Sequence, residues 1–63
     1  MKYPNLRAEM ARRGMKQKDL ANLLGVTEAT VSRWLAGSRA MKLEEAKKVA
    51  NELNERLDYL FAD

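Results

Sequence analysis

The sequence contains neither cysteine nor histidine. The first absence removes disulfides and thiolate chemistry, and the second removes imidazole as a metal ligand or a general base near neutral pH. Proline occurs once, glycine three times, and aromatic residues make up 6% of the chain. No stretch approaches the roughly 20 apolar residues of a membrane span, and the opening MKYPNLRAEM has no apolar run of the secretory kind. A cytoplasmic location is therefore expected. No repeat, glycine-rich phosphate loop, metal-ligand cluster or nucleophile-base pair stands out. Glu44 and Glu45 are sequence neighbours and point in different directions on a helix, which suits them poorly to acid-base chemistry. Neither an enzyme nor a bound cofactor is expected.

What is present is charge, unevenly spread. Residues 1–42 hold nine basic and three acidic side chains, and residues 43–63 hold three basic and six acidic, so the two parts carry +6 and −3 and sum to the net +3. A phosphate-facing part and a part turned away from a polyanion would produce this split. A chain of 63 residues supports one domain, expected over 1–63, and buries only about 60% of its unfolded surface.

The stretch that organises the rest is QKDLANLLGVTEATVSRWLAG, Gln17 to Gly37. Leu20, Ala21 and Leu24 share one side of a helix beginning near Gln17, with Lys18, Asp19 and Asn22 turned away. Gly25 follows the last periodic residue, and Val26 is positioned to tuck into the angle between two helices. Thr27 is suited to N-cap a second helix through its hydroxyl. Thr30, Val31, Trp34 and Leu35 then form its core face, while Glu28, Ala29, Ser32, Arg33 and Ala36 form the opposite one, closed by Gly37. A face built of small residues, one carboxylate and one arginine can approach base-pair edges closely. Arg33 can pair bidentately with guanine O6 and N7, Glu28 can accept from cytosine N4, and Ala29 or Ala36 can meet a thymine methyl. The plain alternative is a surface helix whose small residues serve helix propensity. The combined spacing of Ala21, Gly25, Val31 and Trp34 favours the groove-reading helix.

Gln17, Leu20, Ala21, Leu24, Gly25, Val26, Thr27, Val31, Ser32, Arg33, Trp34 and Gly37 together resemble the Cro/repressor-type (Xre family) helix-turn-helix of phage and bacterial regulators. The likeness extends through LRAEMARRGM before the motif and LDYLF after it. It implies an all-α, five-helix, lambda-repressor-like fold in which helices 2 and 3 form the motif. It also implies base contacts at Thr27, Glu28, Ala29, Ser32 and Arg33, and phosphate contacts at Gln17, Ser38 and Arg39. Lys18, beside Gln17, is expected to act on phosphate as well.

Three positions depart from the family pattern. Lys16 stands where Thr or Ser usually caps the supporting helix, and an ammonium cannot accept a backbone N–H, so a weaker helix start is expected. Ala36 stands where a polar residue, often Asn, precedes the closing glycine, so one phosphate contact is expected to be missing. Leu35 replaces a usual glutamate, which implies packing against a following segment or a partner.

Towards the start, Pro4 suits a first helical turn, and a helix is expected from Pro4 to Arg13 with Leu6 and Met10 inward and Gly14 as its cap. Arg7, Arg12 and Arg13 are left for solvent or phosphate. Towards the end, Leu43, Ala46, Ala50, Leu53, Leu57 and Leu60 recur at spacings of 3, 4, 3, 4 and 3. Periodicity alone permits one long helix from Leu43 to Phe61 that pairs with a copy of itself. The resemblance implies a break near Asn54 to Arg56 and a short fifth helix at Leu57 to Phe61, and two helices are therefore expected. Tyr59, Leu60 and Phe61 then lid the core or begin a dimer surface.

The resulting expectation is a homodimer, paired through its C-terminal helices, that binds double-stranded operator DNA with inverted-repeat symmetry. It would be a nucleoid-associated repressor with no membrane contact and no evident small-molecule effector. Two other readings stay open. One is an antitoxin-type autorepressor, and the other is a protein-interaction module, motivated by Leu35, Ala36 and the apolar C-terminus, that keeps the fold without reading DNA.

Overall fold

A computed structural model describes residues 2–62. Five helices follow one another with no strand among the described residues: α1 (Pro4–Arg12), α2 (Gln17–Leu24), α3 (Glu28–Ala36), α4 (Leu43–Leu53) and α5 (Leu57–Leu60). α2 packs on α3 and α4, and α5 closes over α1 and α4. Leu6, Leu20, Val31, Trp34, Val49, Leu53 and Leu60 are the side chains most completely withdrawn from water. They come from all five helices, which share one core.

Helix starts are secured in an unexpected way. Lys16 precedes α2 and, as its chemistry dictates, offers no acceptor, but its own N–H donates to the Asp19 carboxylate at 2.8 Å. α4 repeats the device, with the Lys42 N–H donating to Glu45 at 2.8 Å. Each is half of a reciprocal capping box, with the acid three residues into the helix gripping the residue before it. The carboxylates also sit at the positive end of the helix dipole. The weak start expected for α2 is thus offset by Asp19.

The ends share one pattern. The N–H of Met15 reaches the carbonyl of Met10, that of Val26 reaches Ala21, that of Ser38 reaches Arg33, and that of Glu55 reaches Ala50, at 2.8 to 3.0 Å. These six-residue closures require a left-handed residue between, and at the end of α4 it is Asn54, with φ 54°. That conformation turns the chain out of the helix, so Leu43 to Phe61 is two helices. α1 ends at Arg12, one residue earlier than expected, with Arg13 as its cap.

Side chains tie the helices together at these ends. Lys48 Nζ donates to Leu24 O at 3.4 Å and Arg13 Nη2 to Leu53 O at 2.7 Å, placing cations against the C-terminal carbonyls of α2 and α4. Asn5 Nδ2 donates to Tyr59 O at 2.8 Å, joining α1 to α5.

The inward stripe of α4 is Ala46, Val49, Ala50 and Leu53. Leu43, counted in the heptad-like stripe, is 61% exposed, and Val49 takes the inward role. The stripe follows the period of a single globular helix. Leu60 is fully buried, and Phe61, half-buried, meets Tyr3 edge to face at 5.2 Å between ring centroids. Both belong to the lid of the monomer core. Leu35 is buried as well, which accounts for its replacing a charged residue.

Candidate nucleic-acid interface

Thr27 has extended backbone, and its Oγ1 accepts the N–H of Thr30 at 3.2 Å, so the second helix of the motif starts where the hydroxyl fixes it. Thr30 Oγ1 lies 3.0 Å from the same oxygen. The turn before it is short because Gly25 takes φ 70°, a left-handed conformation in which other residues pay for a Cβ. Val26 is half-buried against the core, inside the angle of the motif.

From that start α3 divides cleanly. Val31, Trp34 and Leu35 are buried, whereas Glu28, Ala29, Ser32, Arg33 and Ala36 are all exposed. The exposed set shares one face of the helix, as a 3.6-residue period requires. α3 is locked to the body by Trp34, 1% exposed, whose Nε1 finds no hydrogen-bond partner among the described residues. A short helix pinned on one side and shallow on the other can present its side chains rigidly to a groove.

Cationic and polar groups gather at both ends of α3. Lys18 lines a groove with Asn22, Val26, Thr27 and Glu28, at the N-terminal end of α3. Gln17, half-buried, lines a second depression with Arg7, Lys16 and Leu35. At the C-terminal end, Ser38 donates to Arg33 O through its N–H at 3.0 Å and its Oγ at 3.4 Å, and the Arg39 N–H reaches the same carbonyl at 3.3 Å. Ser38 and Arg39 are therefore fastened to the helix they follow. All of the sequence-assigned residues surround α3.

Arg12 and Arg13 fall elsewhere. Glu9, 3% exposed, receives Arg12 Nη2 at 2.6 Å, Arg13 Nε at 3.3 Å and the Tyr59 hydroxyl at 3.4 Å. Arg13 also approaches Glu55 at 3.7 Å and donates to Leu53 O. Arg13 ties α1 to the end of α4, Tyr59 ties α5 to Glu9, and the charge of both arginines is met by Glu9. Sequence reading did not single out Glu9, although its spacing of three and four residues from the two arginines is that of helical ion pairs.

Among the described residues no cluster of acidic side chains is arranged to hold a metal, and no helix is long and apolar enough to cross a membrane. A supporting helix, a left-handed turn and a braced second helix with an exposed, shallow face define a DNA-binding helix-turn-helix. A family model described as helix-turn-helix matches residues 6–60, and the chain belongs to that family, in its Xre/lambda-repressor-like form. Comparison with curated proteins gave no match. The protein is thus a DNA-binding helix-turn-helix regulator.

Proposed function

We propose that the protein is a sequence-specific transcriptional regulator of repressor type, which inserts Thr27 to Ala36 into the major groove of operator DNA and binds as a homodimer. The observation that carries this reading is the exposed face of α3. Glu28, Ala29, Ser32, Arg33 and Ala36 are open to solvent while the other face is anchored by Val31, Trp34 and Leu35. In this reading Thr27, Glu28, Ala29, Ser32 and Arg33 meet bases, and Gln17, Lys18, Ser38 and Arg39 meet phosphates. Arg33 reads guanine and the carboxylate of Glu28 excludes bases that cannot donate to it.

A single domain of this size makes too few base contacts to select a site against genomic competitors, so two copies on half-sites about one helical turn apart are required. Pairing through the C-terminal helices would use the 38%-exposed Tyr59 and its charged neighbours, because Leu60 is committed to the core. The protein then works in the cytoplasm, on the nucleoid. Burial of Leu35 removes a main motive for reading the chain as a protein-interaction module.

Selection of bound duplexes from a random pool at near-physiological salt, followed by sequencing, tests the proposal. Enrichment of an inverted repeat with half-site centres about 10 base pairs apart is expected. A half-site alone would refute the homodimer. No enrichment by folded protein would refute sequence-specific binding.

A further inference from the structure

We infer that Lys2 is a further DNA-backbone contact, supplying from the segment before α1 the phosphate contact that Ala36 does not make at the end of the recognition helix. The inference rests on the DNA-binding reading above. Ala36 is exposed but has no polar atom in its side chain, so the last turn of α3 lacks a donor of its own at that position.

The Lys2 N–H donates to the carbonyl of Leu35 at 2.8 Å, which fastens residue 2 to the last turn of α3. Its side chain then crosses Gly37. A Cβ on Gly37 would lie 3.0 Å from Lys2 Cγ and 3.1 Å from Cδ, so the glycine both adopts φ 82° and leaves room for the lysine stem. Gly37 is followed directly by Ser38 and Arg39, both fastened to Arg33 O. The exposed Lys2 therefore joins these two residues at one edge of the recognition helix.

The placement is held from the other side too. Lys2 Nζ lies 5.3 Å from the centroid of the Tyr3 ring, and that ring meets Phe61 edge to face. Tyr3 has φ 57°, a left-handed conformation unusual for a bulky residue, and this bend directs residue 2 back over α3 as α1 begins at Pro4. Bonded to α3 and stacked through Tyr3 onto α5's end, the segment gives the ammonium a defined position. A pre-positioned cation loses less freedom on meeting a phosphate. The C-terminal carbonyls of α3 carry partial negative charge that would repel a phosphate, and the ammonium offsets it.

The test compares the unmodified chain with Lys2→Gln, Lys2→Arg and Lys18→Ala on the selected duplex and on random duplexes across a salt series. Glutamine keeps the backbone donor and most of the stem, so the fold is retained. One phosphate contact scales affinity by about the −0.9 power of salt concentration, so Lys2→Gln is expected to bind every duplex about eightfold more weakly at about 0.1 M salt. Its log-log salt slope becomes shallower by about 0.9, with base preference unchanged, and Lys2→Arg restores both. An unchanged slope for Lys2→Gln, beside a shallower one for Lys18→Ala, overturns the inference. So does a loss confined to one base position of the operator. Absence of salt-dependent binding to any duplex by the folded, unmodified chain would instead overturn the DNA-binding reading itself.

Discussion

Arg13 and Arg33 are both arginines near the end of a short helix, and the protein uses them in opposite ways. Four residues before Arg13 stands Glu9, and the pair is completed by Leu53 O, Glu55 and the Tyr59 hydroxyl on Glu9. Three and four residues before Arg33 stand Thr30 and Ala29, and its guanidinium has no ion pair or hydrogen bond among the described residues. The first arginine is spent on the fold and the second is left for something outside it. Helical neighbours at three and four residues distinguish the two, since Arg13 finds a carboxylate there and Arg33 does not.

The largest effect should come from breaking the satisfied side. Glu9→Ala leaves Arg12 and Arg13 without their shared carboxylate and takes the partner from the Tyr59 hydroxyl. Because Arg12 is 67% and Arg13 37% exposed, water recovers part of the loss. A cost of about 2 kcal/mol remains, which in a domain this small corresponds to a fall in Tm of roughly 10 °C by circular dichroism. Duplex preference of the folded fraction should not change. A melt within about 2 °C of the original would show that the cluster does not hold α1 to α5.

Arg33→Ala examines the open side. The expected loss is about 1 to 3 kcal/mol of discrimination at one base position, read by competition among single-base operator variants. Its Tm should stay put, since the guanidinium makes no hydrogen bond or ion pair among the described residues. An unchanged preference at every position would remove Arg33 from the base contacts, and a lowered Tm would put it in the fold.

Much of this division was legible in the sequence. The two faces of α3, the cap at Thr27 and the turn at Gly25 follow from periods and residue chemistry within one or two helical turns, and each has the predicted local geometry. What escaped was long-range. No local pattern announces that Arg13 reaches Leu53, 40 residues away, or that Lys48 reaches Leu24. Leu43 fitted an apolar stripe by spacing, yet it lies at the first position of α4, beyond the cover of the other helices. The break at Asn54 came from the family resemblance, because periodicity ran straight through it. Lys2 escaped because its neighbours in space, Leu35 and Gly37, are more than thirty residues distant in sequence.

A smaller effect lies at the start of the supporting helix. Asp19→Ala removes the acceptor of the Lys16 N–H and the acid at the positive end of α2. The loss should be about 1 kcal/mol or less, as for other exposed caps, and visible as a modest shift of the melt. Should the melt not move, α2 is held by its packing on α3 and α4 alone, and the Asp19 bond adds nothing to it.

The smallest effect separates the two regions most sharply. Arg12→Ala takes away a side chain that is 67% exposed and whose partner Glu9 keeps Arg13 and Tyr59, so stability should change by no more than about 0.5 kcal/mol. Sequence alone left Arg12 available to phosphate, but its charge is met by Glu9, at the cluster that joins α1 to α5. The salt dependence of DNA binding should therefore be the same with and without it, while Lys18→Ala makes the slope shallower by about 0.9. If Arg12→Ala also flattens the slope, the end of α1 touches the duplex. The boundary between cations spent on the fold and cations kept for DNA would then have to run through the Glu9 cluster itself.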